Sequence, residues 1–219
     1  MKKTITLAWA LALTAMLATS PVQAAETASG KPHAHAHDHG QAGSASKGYF
    51  YDSQVKAREL SDWEGDWQSI YPYLKDGTLD PVWTHKAEAG GMTAAEYRAY
   101  YETGYRTETN RILIAGQKVT FYAGDKVVSG DYVTDGHEIL TYKKGNRGVR
   151  FIFRKSGGDA GAPEYIQFSD HIIAPQKAGH YHLYWGNDRA KVLAELTNWP
   201  TYFPTGMSGD EIREEMMAH

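Results

Sequence analysis

Lys118-Val119-Thr120-Phe121-Tyr122-Ala123-Gly124-Asp125-Lys126-Val127-Val128-Ser129-Gly130-Asp131-Tyr132-Val133 reads as a strand, a tight turn and a second strand. β-Branched and aromatic residues recur with a period of two on both sides of Ala123-Gly124-Asp125, the pattern of half-buried strands joined by a turn. Working outward, the same period returns at Glu138 to Lys143, Val149 to Arg154, Tyr165 to His171 and His180 to Trp185. Between these runs lie the turn signals Asp135-Gly136 and Gly145-Asn146 and the glycine-rich loop Ser156 to Pro163. Short, evenly spaced strands with tight turns predict an antiparallel meander, and hence a mainly β sandwich or closed barrel. Helices are expected beside it. Val55 to Leu60 reads as one or two helical turns, and Thr93 to Thr103 as a longer helix. Asp188 to Asn198 and Ser208 to Met217 follow the strands. Thr93 with Glu96, and Ser208 with Glu211, have the spacing of capping boxes, in which the hydroxyl and the carboxylate satisfy each other's orphan backbone N–H groups.

The 219 residues suggest one domain or two small ones, and 42% hydrophobic with 22% charged residues describe ordinary globular protein. The chain has no cysteine. That excludes a disulfide scaffold, an iron–sulfur cluster, a thiolate zinc finger, a thiol nucleophile and a cysteine-borne lipid anchor. A formal charge of −3 leaves no basic footprint for nucleic acid. Residues 1–24 read as a cleaved signal peptide: Lys2 and Lys3, an apolar run from Ile5 to Leu17, then Val22-Gln23-Ala24. The run is shorter than the roughly 20 residues needed to span a bilayer, so no membrane segment is expected. Residues 25–47 are mostly Ala, Gly, Ser and His, with no bulky apolar side chain, which predicts a flexible tail. Residues 48–219 form the expected folded domain. An exported protein of a bacterial periplasm is the resulting expectation.

Ten histidines and no cysteine place any metal chemistry on imidazoles and carboxylates. Four of the ten, His33, His35, His37 and His39, alternate with Ala and Asp in the tail, a tract of metal-binding character. The informative stretch is Ser169-Asp170-His171-Ile172-Ile173-Ala174-Pro175-Gln176-Lys177-Ala178-Gly179-His180-Tyr181-His182. On a strand, His180 and His182 share a face, with α-carbons about 7 Å apart. Pro175 and Gly179 interrupt the pattern, so the chain folds back and an antiparallel return brings His171 opposite them. Three imidazoles then form one face of a tetrahedron, leaving a fourth corner for water, a carboxylate or another imidazole. His-x-His alone equally describes a polar strand face. The third histidine, the tail and the missing thiols favour a metal. Zinc is the first expectation, and copper and nickel also take imidazole ligands. His85, His137 and His219 read as surface histidines, and Glu214 and Glu215 as a solvated helix face. Tyr181 and Tyr184 are expected to point away from the metal.

Gly65-Asp66-Trp67 is a Gly-x-Trp on a first strand, which resembles the signature of lipocalin-like barrels and raises a barrel above a sandwich. Leu60-Ser61-Asp62-Trp63-Glu64-Gly65-Asp66-Trp67-Gln68-Ser69, Tyr165-Ile166-Gln167-Phe168-Ser169-Asp170-His171-Ile172-Ile173-Ala174-Pro175 and Asn198-Trp199-Pro200-Thr201-Tyr202 go further. Together with Glu214-Glu215-Met216-Met217, they closely resemble the ZinT (YodA) family of periplasmic zinc-binding proteins. The resemblance covers essentially the whole folded part. It implies a lipocalin-like (calycin) antiparallel β-barrel with added α-helices, and metal ligation by His171, His180 and His182. It also implies zinc recruitment under scarcity, cadmium binding, and handover to the ZnuA-type solute-binding protein of a zinc ABC importer. Enterobacterial members carry a cysteine pair, and the corresponding places here, near Gly130 and Lys155, hold none.

Three functions follow from these residues. The first is a monomeric zinc-binding protein that is not an enzyme, with the histidine tract as auxiliary metal ligands. The second is a zinc hydrolase or hydratase using three histidines and a water. No His-Glu-x-x-His motif supports it. The third, a carrier of a small apolar ligand, rests on the barrel alone and gives the histidines no task.

Overall fold

The computed structural model describes residues 45–143 and 145–218. The signal sequence, His33, His35, His37, His39 and His219 lie outside them. Eight strands run in chain order: β1 (Gly65–Ser69), β2 (Arg111–Ala115), β3 (Lys118–Ala123), β4 (Lys126–Thr141), β5 (Arg147–Gly158), β6 (Tyr165–Ser169), β7 (Tyr181–Gly186) and β8 (Thr201–Pro204). Each pairs antiparallel with the next, and β8 returns to β1, so the sheet closes as the expected lipocalin-like barrel. Closure removes the unpaired edges that an open sheet would expose.

Alternation along the strands fills the barrel. Trp67, Phe151, Phe153, Phe168, Tyr181 and Leu183 point inward and are buried. Trp63, just before β1, is fully buried and stacks on Phe168 with centroids 4.6 Å apart. The interior is thus a packed aromatic core. Outside the wall stand α1 (Tyr71–Lys75), α2 (Asp80–Glu88) and α3 (Ala94–Tyr105), inserted between β1 and β2, with α4 (Arg189–Ala194) before β8 and α5 (Gly209–Ala218) after it. Ile70, Leu74, Val82 and Trp83 pack with Ile212 of α5 and Phe203 of β8 into a second apolar cluster.

Both capping boxes form: Glu96 N–H meets Thr93 Oγ1, Glu211 N–H meets Ser208 Oγ, and each carboxylate bonds back to the cap N–H. Other expectations change. Residues 55–59 are not helical, because Lys56 N–H is drawn to Ile173 C=O, 2.9 Å away, and tertiary pairing overrides local propensity, while Leu60 opens a short 3-10 helix, Leu60–Trp63. Asp135-Gly136 does not end a strand. It forms a bulge within β4, where the two residues face Ile152 alone and Gly136 takes φ 86°. β2, β8, α1 and α2 were not foreseen. β8, at four residues, is too short to show a period, and the amphipathic signal of α2 is blurred by buried Trp83 beside polar Thr84 and His85.

Candidate metal centre

His182 lies on the outer face of β7, whose inward neighbours Tyr181 and Leu183 belong to the core. Its partner in register on β8 is Thr201. The Thr201 hydroxyl is 2.7 Å from His182 Nδ1 and donates to Trp199 C=O at 3.0 Å. A hydroxyl has one proton, and the carbonyl can only accept, so His182 Nδ1 must carry the proton in this pair. The lone pair is then on Nε2. Burial, reinforced by His171, His180 and Arg150, holds the His182 pKa well below 6.5, which favours the neutral ring that a metal needs.

His180 immediately precedes β7. Its ring stacks on Phe203 of β8, centroids 5.0 Å apart and 16° from parallel, and its Nδ1 is 3.6 Å from Glu215 Oε1 on α5. Glu215 is therefore not part of a solvated face, whereas Glu214 is exposed. At 3.6 Å the contact is longer than a hydrogen bond, and it places a carboxylate on the Nδ1 side of the ring.

His171 reaches the others from a loop. β6 ends at Ser169, opposite His182, and His171 lies past it with φ 63°, the single non-glycine positive φ among the described residues. The strand expected to reach His171 stops short because the chain must turn. Asp170 anchors that turn: it accepts from Arg58 Nη1 at 2.7 and 2.9 Å, from Trp63 Nε1 at 3.1 Å and from Ile172 N–H at 3.2 Å. Arg58 also donates to Gln176 C=O and Asp62, with its guanidinium 4.0 Å over Trp63. A left-handed backbone at a non-glycine residue, held by a buried ion pair, is typical of a site where geometry serves function.

The three rings converge, with centroids 5.7 Å (His171–His182), 6.1 Å (His180–His182) and 6.3 Å (His171–His180) apart. Imidazoles on one tetrahedral ion, with Zn–N near 2.0–2.1 Å, have centroids about 5.2 Å apart. Among the described residues no three His, Asp or Glu side chains already stand in metal-holding positions. The three centroid distances exceed that value by about 0.5 to 1.1 Å.

His85 is exposed beside Glu88, and His137 lies on β4 near Phe151. Neither joins the cluster. Tyr184 corrects the expectation that it turns away, because it has the same strand parity as His182 and lines a pocket with it.

A family model described as ZinT (YodA), periplasmic lipocalin-like zinc-recruitment, matches residues 41–219. The chain belongs to the ZinT family. It is 60% identical over 174 residues to the probable metal-binding protein YrpE of Bacillus subtilis (strain 168), covering 79% of this chain and 69% of that protein. It is 55% identical over 177 residues to the zinc-binding protein AdcA of Streptococcus pyogenes serotype M1, covering 78% of this chain but 34% of AdcA. The structure of the Zn(II)-bound ZinT-like domain of Streptococcus pneumoniae AdcA superposes with a TM-score of 0.77 at 49% identity, covering 79% of this chain and 97% of that domain. ZinT membership thus extends over the barrel and its helices, while the chain spans about a third of AdcA.

Thr201, Arg58 and the role of Glu215 in this ZinT domain went unread in sequence. Thr201-Tyr202-Phe203 carries a short β signal that could have paired Thr201 with His182, but nothing local ties Arg58 to Asp170, 112 residues away.

Proposed function

We propose that this chain binds zinc on His171, His180 and His182 and delivers it to a zinc importer. The observation that carries the reading is the convergence of three imidazoles, with centroids 5.7 to 6.3 Å apart, from the loop after β6 and the start of β7. The Zn(II)-bound relatives and the family's zinc-recruitment description support it. Nε2 of His182, set by Thr201, and the ring of His180, beside Glu215, supply two ligands, and His171 closes the face. The fourth position goes to water, a carboxylate or a tail histidine. Cadmium, which takes the same donors, binds there too.

The protein works outside the cytoplasm, in the periplasm, after removal of residues 1–24. It acts as a monomer that scavenges zinc under scarcity and passes it to a ZnuA-type solute-binding protein. His33, His35, His37 and His39 capture ions and speed loading. No helix among the described residues is long and apolar enough to cross a membrane. We assign no enzymatic activity, since binding and release alone give the three histidines a task. The packed interior argues against a carrier of apolar ligands.

Equilibrium dialysis with metal analysis tests the reading. The unaltered protein retains zinc and cadmium, and the triple variant His171→Ala, His180→Ala, His182→Ala loses the tight ion. Unchanged retention in that variant removes the site from the histidines. CO2-hydration and ester-hydrolysis assays on the loaded protein should match free zinc.

A further inference from the structure

The pocket that His171 and His182 line is large for a single ion. It encloses about 610 Å³, with Phe50, Tyr100, Tyr184 and Trp199 on its walls. That size and aromatic lining belong to sites for small organic molecules, which add a few polar groups to an apolar surface. Arg150 is the charged group here, lining the pocket at 1% exposure. Its Nη2 donates to Glu195 C=O at 2.9 Å, but its buried Nε and Nη1 have no hydrogen-bond partner among the described residues. The guanidinium lies 3.1 Å from the Tyr184 ring centroid, a cation–π contact that answers its face, and the Tyr142 hydroxyl also lies beside it, which leaves Nε and Nη1 as the open part of its N–H edge. The nearby Glu195 carboxylate is engaged by Thr197 and Asn198.

Tyr184 lies two residues beyond His182 on the same face of β7, and Arg150, stacked on Tyr184, lines the same pocket as His182. A divalent ion on the three histidines adds two positive charges beside a buried arginine, and Glu215 offsets one. An anion between them resolves both problems. We propose that the pocket binds a small organic carboxylate, with one oxygen on the metal's fourth position and the other on Nε and Nη1 of Arg150. The aromatic walls select an organic acid over inorganic phosphate. The inference rests on the zinc reading, and makes the captured species a zinc–carboxylate complex.

Zinc affinity of the intact protein is measured by chelator competition, in buffer free of carboxylate and phosphate, at matched ionic strength. Tens of millimolar acetate, acetamide or phosphate are compared. Acetate tightens the apparent zinc Kd about threefold or more, acetamide leaves it unchanged, and zinc tightens acetate binding by the same factor, followed by tryptophan fluorescence. In Arg150→Met the acetate effect disappears while zinc still binds. An acetate effect absent from the unaltered protein, or kept in Arg150→Met, overturns the proposal. A larger effect of phosphate overturns the choice of an organic acid. The acetate–acetamide comparison needs no variant, so it decides even if Arg150→Met does not fold. Absence of zinc binding in every arm overturns the zinc reading instead, and acetate titration of the metal-free protein then decides the pocket on its own.

Discussion

One hydroxyl decides which nitrogen of His182 carries the proton and which keeps its lone pair. Thr201 Oγ1 can give its proton only once, and Trp199 C=O takes it. Thr201→Val keeps the shape of the side chain and removes that constraint, so zinc affinity falls by about 10–100-fold, the usual effect of losing a partner that orients a metal ligand. Thr201→Ser restores it, and chelator competition reads both. His171 has a different liability, its backbone at φ 63°. Glycine is at ease there and alanine is not, so metal-free His171→Gly is more stable than His171→Ala by about 1 kcal/mol in urea unfolding. Acid acts through His182. Its folded pKa lies below 6.5, so between that value and 6.5 the unfolded chain holds the extra proton. Stability therefore rises with pH in that window, and the metal-free protein weakens as pH falls through about 6.5, measured by denaturant midpoint at a series of pH values.

At the scale of elements, the loop from Asp170 to Ala178 owes its shape to residues far away in sequence. Arg58 and Asp170, both with fully buried side chains, form its anchor, and Ala178 N–H bonds to Asp62 C=O. Truncating Arg58 leaves a buried carboxylate without its cation, so Arg58→Ala lowers unfolding free energy by about 3–5 kcal/mol, read by urea denaturation. Zinc affinity falls with it, because His171 loses its place. The same contrast explains what sequence could and could not reveal. β3, β5, β7 and the helix caps of α3 and α5 declare themselves through period and spacing over a few residues. His180 and His182 do so as well, and one turn adds His171. Arg58, Thr201 and Glu215 are ordinary in their local contexts. They acquire meaning only when barrel closure brings β8 beside β7 and α5 beside His180. The parity of Tyr184 was legible too, since it stands two residues from His182.

For the whole molecule, ligation couples the loop, β7 and the support that β8 and α5 provide. An ion that binds only the folded state stabilises it by mass action, about 2.7 kcal/mol at a free concentration 100 times Kd. For a domain of this size that is a rise in Tm of roughly 5–10 °C, visible by calorimetry and absent in the triple histidine variant. The seam between β8 and β1 has a further consequence. β8 closes the wall, carries Thr201 against His182 and stacks Phe203 on His180. On the proposed reading the chain crosses a membrane with its N-terminus leading, which delivers the three histidines before these supports. On the same reading, early-emerging ligands hold an ion only loosely, and tight capture waits for the last strand to dock. Loading then serves as a clock for the end of folding, so that a half-translocated or clipped chain takes no zinc from its finished neighbours.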